Sequence, residues 1–168
     1  MVVEGFWQWM LARSGRKAGY RLLLSPWLAI DGLIAVGLTY WLKVDGFEFA
    51  QRALFPAASI LVGMALGWTA RAATIVSDVK FRQSMISEIN PVEDYFYGYQ
   101  LSILILFICV CYISIMAAGG FSFYIYNKNF SVFASSFSMY FLISLAIREC
   151  WMVINFTNLL SILNTRIS

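Results

Sequence analysis

The chain has 168 residues, of which 61% are hydrophobic and only 12% charged, with a net charge of +3 and no histidine. Soluble proteins average about 25% charged residues, so this composition excludes a folded domain with a hydrated surface all round, and the surplus apolar surface must face lipid. Without histidine there is no His-ligated metal, no Ser/His or Cys/His nucleophile and no histidine proton relay. Cys109, Cys111 and Cys150 all lie inside apolar runs, a pattern that is neither a disulfide framework nor a zinc site. The expectation is a chain with no cofactor, no metal ligands and no catalytic residues, and hence not an enzyme.

Residues 1–25 form a basic and aromatic segment. Phe6, Trp7 and Trp9 precede Arg13, Arg16, Lys17 and Arg21. The stretch is too long for a signal-peptide n-region, and no cleavage pattern follows the apolar run. It is expected to be retained in the cytoplasm, helical, and laid at the headgroup level, where tryptophan is favoured and each basic residue gains about 1 kcal/mol against anionic lipid.

Residues 26–168 are expected to form a four-helix transmembrane bundle. The first span, 26–42, has Ser25 as helix cap and Pro26 as first helical residue; the alternative is a helix starting near Leu22 and bent at Pro26. A short polar loop over 43–52 leads to the second span, 53–76, whose first turn tolerates Pro56. A cytoplasmic extension of the same helix should follow, within a connection covering 77–97. Asn90 and Pro91 then read as a fresh helix start, with Glu93 completing a capping box. The third span, 99–118, ends at Gly119 and Gly120, and the fourth covers 130–151 with a further helical extension over 152–166.

Orientation follows from the basic residues. With both termini in the cytoplasm, Arg13, Arg16, Lys17, Arg21, Arg71, Lys80, Arg82 and Arg166 lie inside, against Lys43, Arg52 and Lys128 outside. That bias obeys the positive-inside rule.

Asp31 is the most unusual residue, placed about 8 Å into the first span at 1.5 Å per residue. An unpaired carboxylate there costs about 2.5–3.5 kcal/mol. It is therefore an ion or proton site, or else a clasp between helices; the clasp is the preferred reading. Arg71, Arg148 and Glu149 fall in the same half of the bilayer, which suggests two cross-helix pairs, Asp31 with Arg148 and Glu149 with Arg71. The bland alternative is that both arginines snorkel to headgroups.

The fourth span carries a polar stripe of Ser136, Tyr140, Ser144, Arg148, Trp151, Asn155 and Asn158, spaced three or four apart. Such a stripe faces protein or a water-filled lumen rather than lipid. The second span carries Ser59, Gly63 and Gly67, a GxxxG surface suited to close helix packing within the chain or between copies.

In size and helix count the chain resembles the small four-helix membrane subunits of bacterial antiviral systems of the Kiwa kind. The likeness is architectural, spans the whole chain, rests on no diagnostic motif and carries no residue roles across. The intramembrane charges, the polar stripe and the small-residue face point to a non-enzymatic anchor, sensor or pore in a bacterial inner-membrane complex, and the likeness implies antiviral defence as its setting. The partners expected are anionic lipid headgroups, further copies of the chain and a cytoplasmic protein, with no direct nucleic-acid binding. Two other readings stand beside it. One is a small ion channel or transporter, similar in size to the small multidrug exporters, in which Asp31 would be the working acid. The other is a membrane immunity protein against a pore-forming toxin.

Overall fold

The computed structural model describes residues 5–11, 19–22, 24–42, 46–79, 83, 92–120 and 128–167. Among these residues the protein is helical, with no strand. Helix α1 is Phe6–Leu11, followed by a 3-10 turn at Gly19–Leu22. Helix α2 is Trp27–Trp41, α3 runs through Gly46–Ser77, α4 is Val92–Ala117 and α5 is Lys128–Ile167. Three of these, α3, α4 and α5, are long and apolar enough to cross a membrane. The fourth candidate, α2, has 15 residues. At 1.5 Å per residue that is about 22 Å, short of a hydrocarbon core of about 30 Å.

Several helix boundaries depart from the sequence reading. Pro26, not Ser25, is the N-cap residue of α2, and no side-chain hydrogen bond caps it. The amides of Leu28 and Ala29 instead donate to the carbonyls of Ser25 and Pro26. The expected polar loop over 43–52 is helical from Gly46 onward, and Glu48 and Arg52 pair across one turn at 2.9 Å. Around Arg52, just before Pro56, the helix widens into a π turn, Ala50–Leu54, and the Phe55 amide donates to the Ala50 carbonyl. The reason lies in Pro56: it has no N–H to give the Arg52 carbonyl, and its ring would strike that carbonyl in a tight α turn. At the other end, α3 stops at Ser77 and Asp78 is extended, so the expected extension of the same helix into the 77–97 connection is broken there. An acidic residue opposes the negative end of the helix dipole, which disfavours carrying the helix past Asp78. The Asn90–Pro91 start lies outside the described residues.

The close of α4 follows the Schellman pattern. Gly120 donates to the Ile115 carbonyl and Gly119 to that of Met116, both glycines having positive φ. Gly120 also lies under Phe47, whose ring would be 2.5 Å from any Cβ at that position.

The expected four-helix bundle is resolved into two unequal parts. Helices α3, α4 and α5 pack mutually, whereas α2 packs along α5 and makes no comparable contact with α3 or α4. Only Asp31 and Ala35 of α2 are fully buried, while Ile30, Leu33, Ile34, Val36, Tyr40 and Trp41 are exposed. The core that joins α3, α4 and α5 sets small residues against larger ones: Ala58 and Ala65 of α3, Leu106, Cys109, Ile113 and Met116 of α4, and Met139, Tyr140, Ala146 and Cys150 of α5, with Ala35 of α2 reaching the same cluster. A second cluster, Ala72, Val76, Tyr99, Val153 and Leu160, continues the same contact toward the C-terminal end of α5.

Candidate functional site

The site is a group of polar side chains drawn from three helices, with Asp31 and Ser102 buried and Ser144, Arg148 and Glu149 partly buried. Asp31 sits one turn into α2, with its side chain 6% exposed. Ser144 Oγ donates to its Oδ1 at 2.8 Å, and Arg148 Nη1 donates to its Oδ2 at 2.5 Å. Ser144 and Arg148 are four apart on α5, so both reach the same carboxylate from successive turns of one face. The Ser102 hydroxyl of α4 donates to Glu149 Oε2 at 2.8 Å. Glu149 Oε1 is 3.6 Å from Arg148 Nη2. That nitrogen is buried and has no hydrogen-bond partner among the described residues. The guanidinium therefore stands between two carboxylates, bonded to one and beside the other.

The residues singled out by sequence distribute unevenly over this geometry. Asp31 and Arg148 meet. Glu149 and Arg71 do not, which corrects the second expected pair. Glu149 lies beside Cys150, whose Sγ is 3.9 Å from the Leu61 carbonyl, and Arg71 is ten residues further along α3. Ten residues are about 15 Å of helix, too far for an ion pair. Arg71 is exposed, and its guanidinium lies 5.6 Å from the centre of the Trp68 ring, a cation–π contact.

The polar stripe of α5 is divided. A Cβ at Gly46 would lie 2.9 Å from Ser136 Oγ, Tyr140 is buried, and Ser144 and Arg148 hold Asp31. Beyond Arg148 the stripe is open: Trp151 is 67% exposed, and Asn155 and Asn158 are also exposed. The stripe loses its cover there because α2 begins only four residues before Asp31.

The glycine surface of α3 is likewise outside the chain's own packing. Ser59, Gly63 and Gly67 are exposed, and a Cβ at either glycine would meet nothing within 4 Å. Close contact within the chain is made instead by Ala58, Ala65 and Ala72, seven apart on a neighbouring face of the same helix. The Ser59 hydroxyl donates to the Phe55 carbonyl. Thr39, Thr69 and Ser114 make the same bond to the carbonyl four residues back, so these polar groups cost little in lipid.

Two features escaped the sequence reading. One is Ser102, a lone hydroxyl in an apolar run that supplies the third helix of the site. The other is Trp9. Its ring is packed into the protein, 2% exposed, and donates Nε1–H to Asp94 Oδ1 at 2.8 Å. Its ring and that of Phe6 pack on Tyr97. A pattern for this was present: Asp94, Tyr97, Leu101 and Ile105 are spaced three, four and four, one face of α4. Arg13, Arg16 and Lys17, expected to touch anionic lipid, lie outside the described residues, as does the side chain of Arg21.

Cys109, Cys111 and Cys150 are free thiols, and Cys109 and Cys150 belong to the core. Among the described residues no three His, Cys, Asp or Glu side chains come together as a metal site. No family model, curated protein or solved structure matches the chain.

Proposed function

We propose that the chain is a non-enzymatic, multi-pass subunit of a bacterial inner-membrane complex, in which the buried charges act as a clasp and the exposed small-residue face of α3 meets another copy. The observation that carries this reading is the state of Asp31. Both its oxygens are taken by α5, one by Ser144 and one by Arg148. An acid held in this way joins two helices and is not presented to a lumen. The architectural likeness to membrane subunits of antiviral systems suggests defence as the setting, with a cytoplasmic protein as partner.

In this reading α2 crosses the membrane with α3, α4 and α5, and both termini are cytoplasmic. Exposed Trp27 and Trp41 at the two ends of α2 suit the two interfaces. Cysteines introduced at exposed Glu48 and at Lys128 are expected to react with an impermeant thiol reagent from outside intact cells, and one at Ser77 only after permeabilisation. The reverse pattern would overturn the orientation.

Native mass spectrometry in detergent tests assembly. An oligomer is expected, reduced to monomer by Gly63→Ile with the melting temperature of the monomer unchanged. A monomeric wild-type chain would remove the assembly claim. The channel or transporter reading has one observation in its favour, the surplus of carboxylate over guanidinium in the cluster. Asp31→Asn that abolishes ion flux in proteoliposomes while leaving the fold and oligomer intact would put that reading first.

A further inference from the structure

The N-terminal helix and the charge cluster are neighbours. Trp9 belongs to one apolar cluster with Leu101 and Ile105 of α4 and Leu145 of α5, and Leu28 of α2 packs against it. Each of these partners adjoins a member of the charge cluster. Leu28 is three residues before Asp31, Leu101 directly precedes Ser102 with Ile105 three beyond it, and Leu145 follows Ser144 and is four before Glu149. Residues three or four apart share a helix face, so the Trp9 ring lies against the same faces that carry Asp31, Ser102 and Glu149.

The seat of Trp9 follows from the packing. Helices α2 and α4 both lie on α5 but do not pack along each other. Between them the Trp9 ring packs with Leu101 and Ile105 of α4, Leu145 of α5 and Leu28 of α2. Its seat is tight, since a Cβ at Gly19 would be 2.4 Å from the ring. The element that delivers the ring is small: α1 has six residues, with Trp7, Gln8 and Leu11 exposed on its outer side. A helix of that length has no stability of its own. Its position depends on the docked rings and on the hydrogen bond to Asp94, which makes it a candidate for local opening while the long helices stay folded.

We propose that α1 is a removable plug, which keeps the Asp31–Arg148–Glu149 cluster dry while Trp9 is seated and admits water to it when Trp9 withdraws. The proposal does not depend on the chain being a scaffold or a channel; it assigns the N-terminal segment control over access to the charges in either case.

The test uses the full chain in lipid nanodiscs, with Cys109, Cys111 and Cys150 replaced by alanine and one reporter cysteine added. Leu145→Cys places the reporter under the plug. Met116→Cys places it in the core near the opposite end of α4, where the wild-type residue is fully buried. The probe is a positively charged, membrane-impermeant methanethiosulfonate. With Trp9 present both reporters should react slowly. Trp9→Ala should speed the reaction at position 145 at least tenfold and leave position 116 unchanged. Trp9→Phe keeps an aromatic ring but loses the donor to Asp94, and should speed position 145 by a smaller factor; it also serves if Trp9→Ala cannot be purified. A fast reaction at position 145 with Trp9 in place, or no acceleration in either variant, would overturn the plug. Equal acceleration at both positions would also overturn it, because Trp9 would then support the whole fold instead of sealing one opening.

Discussion

The α2–α5 seam and the α3–α4–α5 core are held together in different ways. The core is spread over many small contacts, with alanines every seventh residue of α3 against sulfur-containing and branched residues of α4 and α5. The seam has two fully buried residues on α2, one of them an aspartate. In lipid there is no hydrophobic drive to pair helices, so association rests on close packing and on polar groups that have no better partner. The core uses the first, and the seam adds the second, with Ala35 packed into the core cluster and Asp31 held by Ser144 and Arg148. It follows that the core should tolerate single changes that conserve volume, whereas the seam should be sensitive to one charge.

The largest effect expected is therefore at Arg148. Arg148→Gln leaves Asp31 and Glu149 buried with no cation between them, and should destabilise by about 3–5 kcal/mol in detergent melting. Asp31→Asn should cost less, because Glu149 remains beside the guanidinium at 3.6 Å. The double variant should lose less than the sum, with a coupling of about 0.5–3 kcal/mol. Additive losses would mean that the seam is held by packing as the core is, and the contrast between the two regions would fail.

Ala65→Leu probes the core from the other side. Ala65 is buried in the three-helix contact, so the added volume should cost about 1–3 kcal/mol through overpacking. Gly63→Ile, two residues away on the exposed face, should leave the melting temperature of the monomer unchanged. Equal losses in the two variants would show that the glycine face is in fact part of the chain's own packing.

A smaller effect is expected where the core does use a polar contact. The Thr157 hydroxyl donates to the Val153 carbonyl and lies 3.1 Å from the Tyr99 hydroxyl, which is thereby the donor between them. Thr157→Val keeps the shape and removes the acceptor, for a loss of about 1 kcal/mol by thermal melting. The smallest is at the exposed Glu48–Arg52 pair, where Glu48→Gln should cost no more than about 0.5 kcal/mol. A larger loss there would mean that the π turn below it depends on the ion pair.

The sequence alone was enough for everything that depends on composition and on local chain chemistry. Low charge with long apolar runs implied helices able to span a membrane, Gly119 and Gly120 marked the end of a helix, and Asp31 and Arg148 stood out as residues too costly to leave unpaired. What depends on neighbours was decided only by the tertiary structure. A helix in lipid is apolar on every side, so the periodicity that reveals the inward face of a soluble helix is weak here. Nothing in α3 says that the Ala58–Ala65–Ala72 face packs inward and the Gly63–Gly67 face does not, since both are small enough for close approach. For the same reason α2 could not be told from a full member of a four-helix bundle, and Glu149 could be assigned to Arg71 when its partner is Ser102. Trp9 shows the limit most clearly. A tryptophan near basic residues fits an interface equally well whether its ring lies among headgroups or is buried in protein, and the choice was made by Asp94 and by the apolar seat of Leu28, Leu101, Ile105 and Leu145.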